Sequence, residues 1–406
     1  MSTTPTVVSD HRMVLSLSRE RTTLWDQFQY AGDPAEFVWL LPIFDDSRVE
    51  FATSTDDFLS WVDALTAPSF TVTWPLTCIN SQGSSVRVDP QRSWPSMSFA
   101  QLSPAFDVGD PDSPRTRSAL VGPYEVFLIP AGPRDRSLLA WADTHGVRIE
   151  GLARTLVDEY DARGAGYVVA RLRPGVGAKR MQPIRITFAG YQPRLPLKMI
   201  ALGAGDAVTL SLFVLSDGAM RVRGKPEYLL DGTMVPFVRS TPEYARYVEN
   251  TVRPTPGAWL TESSQDATET LLGPSTVSAS VHREVQYATT ALPRPYVTRF
   301  RTVLTRDSLS EDLELEPSTS GPLQRSWIVN GTISPTDCDT FQANATPALP
   351  PGTVLEAGVS APGATIPAFT RQTGCSCATP ARARSNGMAA LVAAALAMTS
   401  VARRRK

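Results

Sequence analysis

Lysine is almost missing from this chain. Lys179, Lys198, Lys225 and Lys406 are its only lysines, and the rest of its 39 basic residues are arginine. The exchange costs little on a surface, and it points to the codon bias of a GC-rich bacterium. Cysteine is equally scarce, 4 in 406 residues, which excludes a disulfide-dense scaffold. Histidine occurs only as His11, His145 and His282, far apart and never at i, i+4 with a glutamate, so no metal site is legible. Charged residues are 19% against 42% hydrophobic, which excludes wholesale disorder. Residues 371–406 hold seven basic side chains and no acid; with those seven removed from the 39, the body carries 32 basic against 40 acidic residues, a net of −8. An acidic body without a basic patch excludes nucleic acid as the main partner. No motif for a cofactor is complete, and none is expected.

Long apolar runs are also lacking, with one exception at the end. Gly387–Ala402 is uncharged and rich in Ala, Leu, Val and Met, and Arg403, Arg404, Arg405 and Lys406 follow at once. As a helix it spans about 24 Å at ~1.5 Å per residue. That is short for a hydrocarbon core of ~30 Å, and snorkelling arginines with local thinning close the gap. The spacing predicts a short transmembrane sorting helix over 387–402, and the positive-inside rule puts residues 403–406 in the cytoplasm and the body outside. Upstream, Gly374-Cys375-Ser376-Cys377 precedes the run. This order of Gly-Cys, apolar run and Arg-rich end resembles the MYXO-CTERM sorting tail of myxobacterial and related surface proteins. The resemblance implies cleavage by a membrane-embedded sorting protease and anchoring through Cys375 first or Cys377 second. The opening ten residues have neither a basic n-region nor an apolar h-region, and a signal peptide upstream of Met1 is the expectation.

The body predicts an α+β fold with mixed, largely antiparallel sheets and a few short helices. Met13–Ser18, Thr22–Tyr30 and Phe37–Leu41 read as strands, the last stopped by Pro42. Thr55-Asp56-Asp57 caps a helix with Phe58, Val62 and Leu65 on one face, and Phe70–Trp74 is a further strand. Residues 83–118 are rich in Ser, Pro, Asp and Arg and read as a long surface excursion. Beyond it, Pro123–Pro130, Gly166–Leu172, Ile184–Phe188, Val208–Leu215 and Thr233–Val238 read as strands. Ser137–Ala142, Leu152–Tyr160 and the segment opened by Thr241-Pro242-Glu243 read as helices, with Gly146 stopping the first. Regular βαβ alternation is absent, so a doubly wound sheet is not expected. The organisation expected is a body over 1–340, with a division into two subdomains near 120–135 as an alternative. A Pro/Ala/Thr-rich linker then runs over 341–386.

Tyr30, Gly32, Asp33, Pro34, Phe37, Trp39, Leu41 and Pro42, with Thr66, Ala67 and Pro68, resemble the domain of unknown function 2330 family of secreted bacterial proteins. The likeness continues at Tyr124–Ile129, at Leu138, Leu139, Trp141 and Gly146, at Leu195-Pro196-Leu197, and from Thr298-Arg299-Phe300 to Asp312-Leu313. It implies an exported protein and no particular chemistry.

Candidate chemistry is sparse. Gly203-Ala-Gly205-Asp206 lacks the third glycine of a dinucleotide loop, because Val208 stands there, and a strand follows it. Gly175-Val-Gly-Ala-Lys179-Arg180 lacks phosphate-loop spacing, and Gly358-Val-Ser360-Ala-Pro362 has proline where a nucleophile elbow needs glycine. Asp107, Asp110 and Asp112 are candidate calcium ligands, although a solvated turn explains them more simply. Cys78 and Cys338 are the only cysteines before the tail, and a disulfide between them is expected in an exported body. The expectation is therefore a membrane-anchored envelope or cell-surface protein with a non-enzymatic structural or binding role. The alternatives are an exported hydrolase using Cys78 (with His145 and an Asp) or another Asp/His pair, and a calcium-dependent surface binding module.

Overall fold

The computed structural model describes residues 8–28, 37–44, 48–73, 77–87, 97–98, 118–132, 137–176, 181–202, 204–232, 241–273, 277–330, 338–339 and 398–400. The chain opens with the hairpin β1 (Val8–Leu17) and β2 (Arg21–Phe28), then β3 (Phe37–Ile43) and β4 (Val49–Thr53). Helix α1 (Asp56–Thr66) is followed by β5 (Ser69–Thr73), β6 (Thr77–Ile79), β7 (Ser85–Arg87) and β8 (Met97–Ser98). The hairpin β9 (Ser118–Val121) and β10 (Tyr124–Ile129) leads to α2 (Leu138–Thr144) and α3 (Leu152–Ala162). Strands β11 (Gly166–Leu172), β12 (Ile184–Ala189) and β13 (Arg194–Leu195) precede a 3-10 helix, Leu197–Leu202. Then come β14 (Ala204–Ser216), β15 (Met220–Val222), β16 (Glu227–Leu229), α4 (Thr241–Val252) and β17 (Trp259–Asp266). The described chain ends with α5 (Ala279–Thr289), β18 (Tyr296–Thr305), β19 (Leu313–Pro317), β20 (Ser326–Asn330) and β21 (Met398–Ser400).

Two compact units result. The first comprises Met1–Thr73, Arg92–Gly331 and Ala390–Lys406, and the second Trp74–Gln91 and Thr332–Ala389. The 120–135 stretch falls inside the first unit, with β10 in the interior of a sheet.

The first unit is built on an eight-stranded sheet, in the order β16-β17-β18-β14-β1-β2-β12-β4, and a five-stranded sheet, β21-β3-β11-β10-β9. Pairing is mostly antiparallel, with parallel exceptions at β1/β14, β16/β17 and β20/β5. Side chains alternate across each strand, so each sheet has two faces to cover. Met13, Leu15 and Leu17 of β1, Leu212 and Val214 of β14 and Phe300 of β18 pack against Trp39 and Leu41 of β3, Tyr124 of β10 and Val168 of β11. The opposite face of the five-stranded sheet (Val38, Leu40, Val169) is covered by Leu138 and Ala142 of α2 and Leu156, Val157 and Tyr160 of α3. The opposite face of the eight-stranded sheet (Val14, Trp25, Phe213) is covered by Phe58, Leu59 and Val62 of α1 and Val281 and Val285 of α5. Tyr244, Val248 and Val252 of α4 cover Leu260 of β17. The architecture is thus four layers, helix–sheet–sheet–helix, as binary patterning of both faces requires.

The local signals work as the sequence suggests. Thr55 and Ser137 are N-caps that accept from the backbone of Phe58 and Ala140, each cap contributing about 1 kcal/mol. Gly146 takes φ +67°, and Val147 N–H donates to Ala142 O at 2.8 Å, which closes α2 with a left-handed stop. Gly166 has a different reason: a Cβ there would meet Ile129 O at 2.7 Å and Ala131 N at 2.9 Å.

Three expectations need correction or limits. Pro42 does not stop β3, which runs on to Ile43 with Pro42 opposite Tyr167. Among the described residues β21 pairs with Phe37, Val38 and Trp39, and at Pro42 the described neighbour of β3 is β11. Of the apolar run 387–402, only Met398–Ser400 is described, and there it is a strand on the edge of β3 and not a helix. An edge strand presents unpaired backbone groups that a β-branched residue such as Thr399 readily meets. Among the described residues no helix is long and apolar enough to cross a membrane. The linker 341–386, the strand expected over Thr233–Val238 and most of 83–118 lie outside the described residues.

A candidate binding pocket

A well-formed cavity in the first unit lies at one end of the two-sheet sandwich. The β1–β2 hairpin brings Leu15 and Leu24 from one sheet, and the C-terminal half of β3 brings Leu41 and Ile43 from the other. Leu195 of β13 and Leu315 of β19 close the end, leaving a cavity of about 340 Å³. All six side chains are buried, so the cavity is a continuation of the apolar core. Phe44 and Tyr191 stand at the mouth with 44% and 46% of their surface exposed.

The wall over Gly190–Arg194 is fixed by its own hydrogen bonds. Thr22 Oγ1 donates to Gly190 O at 2.9 Å and accepts from Gln192 N–H at 2.8 Å, and Arg194 N–H donates to Gln192 O at 2.8 Å. These bonds hold the segment against β2 and leave the Arg194 side chain at the rim.

The rim is charged. Arg194 lies 3.1 Å from Glu314, and Arg223 lies 3.3 Å from Glu314 and 2.9 Å from Glu316. Arg221 reaches Glu316 at 2.9 Å. Across the mouth Arg163 pairs with Asp312 at 3.2 Å while its guanidinium sits 4.8 Å over the Phe44 ring. Tyr160 O–H donates to Asp312 at 2.5 Å. Burial and the neighbouring Asp312 carboxylate push the Tyr160 phenol well above its ordinary range, so it stays a donor. The hydrogen bond from Arg223 holds the Glu316 carboxyl below its usual value, and Arg223 is raised in turn by Glu316 and Glu314. The lining contains no histidine, cysteine or serine, and both its carboxylates are paired with arginine. Such a site is equipped to hold an apolar body and to orient it by hydrogen bonds at one end.

Sequence reasoning missed this pocket. Its apolar walls have the same composition as the core, and its arginines come from segments separated in the chain. Tyr191-Gln-Pro-Arg194, beside the Leu195-Pro196-Leu197 resemblance, was the available signal: exposed aromatic and basic residues clustered with prolines between two strands.

The residues that the sequence singled out fall elsewhere. Cys78 and Cys338 are bonded to each other, S–S 2.07 Å, in the second unit. There Cys78 lies on β6, paired with Val86 of β7, and Asp339 accepts from Ser81. A hydrolase built on a Cys78 thiolate is therefore corrected: the sulfur is committed to the bridge. His145 stacks on Trp141 with ring centroids 4.5 Å apart, and its Nδ1 lies 2.8 Å from Trp141 O at the end of α2. An Asp/His pair does form, His11 Nδ1 to Asp26 Oδ1 at 3.2 Å, with Trp39 Nε1–H donating to Asp26 at 3.0 Å. Both members are fully buried between the sheets. Asp107, Asp110 and Asp112, Cys375 and Cys377, and Arg403, Arg404 and Arg405 lie outside the described residues. Among the described residues no group of three or more His, Cys, Asp or Glu side chains is placed to hold a metal.

A second polar cluster, beneath the helices, is structural. Arg299 of β18 donates to Glu262 of β17, to Asp63 Oδ1 of α1 at 2.6 Å and to Thr66 Oγ1 at 3.2 Å, all inside the protein. Tyr244 O–H of α4 donates to Glu262 at 2.8 Å, and Arg12 lies 3.6 Å from Asp63. Burial works against the Arg299 charge, and the Asp63 and Glu262 carboxylates outweigh it, so the group is held firmly protonated.

No match to the chain is found among curated proteins or among solved structures. A family model does match residues 2–315, a span that contains every residue lining the pocket and stops short of Cys338 and the tail. The chain belongs to the DUF2330 family, uncharacterised proteins conserved in bacteria.

Proposed function

We propose that this chain is an exported envelope protein, sorted and anchored at the membrane through Cys375 or Cys377 of its C-terminal tail, whose body has a non-enzymatic binding role. The observation that carries the reading is the Cys78–Cys338 bond. It joins positions 260 residues apart in a chain with only two cysteines before its tail, and such bridges persist in oxidising compartments. The order of Gly374-Cys375-Ser376-Cys377, apolar run and Arg403–Arg404–Arg405–Lys406 supplies the anchoring part of the proposal, with a sorting protease as the partner that acts on it. The pocket supplies the binding part, because it is concave, largely apolar and fixed by the hydrogen bonds of Thr22 Oγ1 with Gly190 O and Gln192 N–H.

The test is fractionation of the native host with thiol mapping before and after reduction. The expected result is protein in the envelope fraction, Cys78 and Cys338 blocked until reduced, and a mass change at Cys375 or Cys377. Deleting residues 374–406 releases the body from the membrane. Cytosolic protein with free Cys78 and Cys338 and an intact, unmodified tail overturns the proposal.

A further inference from the structure

We infer that the pocket between the sheets binds a monoanionic amphiphile, an acyl chain of about ten carbons whose carboxylate rests on the rim arginines. Three observations converge on that class. The walls given by Leu15, Leu24, Leu41 and Ile43 are aliphatic and come from both sheets, which suits a flexible chain sliding between them. The volume of 340 Å³ holds about ten methylene-sized groups at the ~30 Å³ that a water-sized group occupies. The lining has three guanidiniums, Arg163, Arg194 and Arg223, against two carboxylates, Asp312 and Glu314, a surplus of one positive charge.

That surplus matches one carboxylate. A guanidinium has five N–H donors in a planar fork, and the ion pairs at the rim engage only part of each fork. The side chains of Arg194 and Arg223 are more than half exposed, so the head group sits where water still reaches it while the chain is desolvated. Phe44 and Tyr191 at the mouth cover the first methylenes. A neutral alcohol keeps the apolar contacts and loses the charge-assisted bond, whereas an alkylammonium meets a like charge. The site works wherever the protein resides, so its test is independent of export and anchoring.

The experiment is calorimetric titration of the purified full-length chain, free of detergent, with decanoate, decan-1-ol and decyltrimethylammonium. Decanoate is expected to bind with one-to-one stoichiometry below its micellar concentration, with decanol at least about tenfold weaker and the ammonium without saturable binding. Arg194→Gln is expected to weaken decanoate about tenfold and leave decanol unchanged. Leu195→Trp narrows the cavity and is expected to weaken both. A second readout does not depend on that variant folding: a nitroxide-labelled decanoate should broaden the methyl resonances of Leu24 and Leu41 and spare those of Val285, on α5 over the opposite face of the eight-stranded sheet. Absence of saturable decanoate binding, decanol or ammonium binding as tightly, or broadening at Val285 in place of Leu24 and Leu41 overturns the inference.

Discussion

Reducing the Cys78–Cys338 bond should loosen the second unit and leave the first intact, and the size of the effect follows from where the two arms begin. Loop-closure entropy for the full separation of 260 residues gives about 5.6 kcal/mol. That figure applies only when the whole chain unfolds. While the first unit stays folded, β5 and β20 are paired, with Thr73 opposite Asn330. The arms that carry the cysteines therefore leave from neighbouring points. Cys78 lies five residues beyond Thr73 and Cys338 eight beyond Asn330, so the bridge closes a ring of about fifteen residues. The same relation then gives about 3 kcal/mol, or roughly a 150-fold rise in local opening on reduction.

Native-state hydrogen exchange with peptide resolution separates the two cases. With reductant, amides of Thr77–Ile79 and Ser85–Arg87 should exchange about 150-fold faster, while β14 and β18 at the centre of the eight-stranded sheet keep their protection. Unchanged exchange over 77–87 refutes the argument, because the bridge would then constrain nothing locally. Equal loss of protection in β14 and β18 refutes it in the other direction, because the two units would then not open separately.

Two further outcomes rest on charge. Arg299→Met removes the guanidinium that the fully buried Asp63 and Glu262 carboxylates share and should cost about 3–5 kcal/mol, read as a lower urea midpoint. An exposed control such as Arg154→Met, which breaks only an i, i+4 pair, should move the midpoint by less than about 0.5 kcal/mol. At the rim, Glu316 is held below its ordinary value of 4.5 by Arg223. The unfolded chain therefore binds the proton first, and the stability contributed is full above that ordinary value and lost as pH falls through the lower folded one. Arg223→Gln should flatten this acid limb of a pH-dependent melting curve, and added salt should shrink the difference between the two proteins.

The fold was legible wherever local chemistry and burial agree. Thr55 with Phe58 and Val62, or Ser137 with Gly146, states a cap, a face and a stop within one short segment, and the structure uses each as written. Strands β1, β3, β11 and β14 read as apolar runs because sheets or helices cover both their faces, and β12 reads as an alternating strand with Ile184, Ile186 and Phe188 on the core face. Strands β17 and β18 did not. Trp259–Asp266 and Tyr296–Thr305 carry Glu262, Arg299 and Arg301 at positions that a binary pattern assigns to solvent, yet all three are buried. Their burial is made possible by partners distant in sequence: Asp63 lies 236 residues from Arg299. No window along the chain contains both, so periodicity alone inverts the two strands.

The same separation explains which sites were readable. The disulfide was, because elimination among four cysteines needs no geometry. The pocket was not, because it is assembled from the ends of β1, β2, β3, β12, β13 and β19 and contains no residue type that a core lacks. What distinguishes it from core is a failure of closure: among the described residues a cavity opens at one end between the two sheets, with Arg163, Arg194 and Arg223 in its lining beside apolar walls. An ordinary sandwich end is closed by large side chains, because an unfilled cavity costs about 24 cal/mol per Å³. At 340 Å³ the full volume would cost about 8 kcal/mol, most of it relieved by an open mouth and water. Under the reading proposed above, an amphiphile seated beneath Arg163, Arg194 and Arg223 would offset that cost by covering the apolar walls.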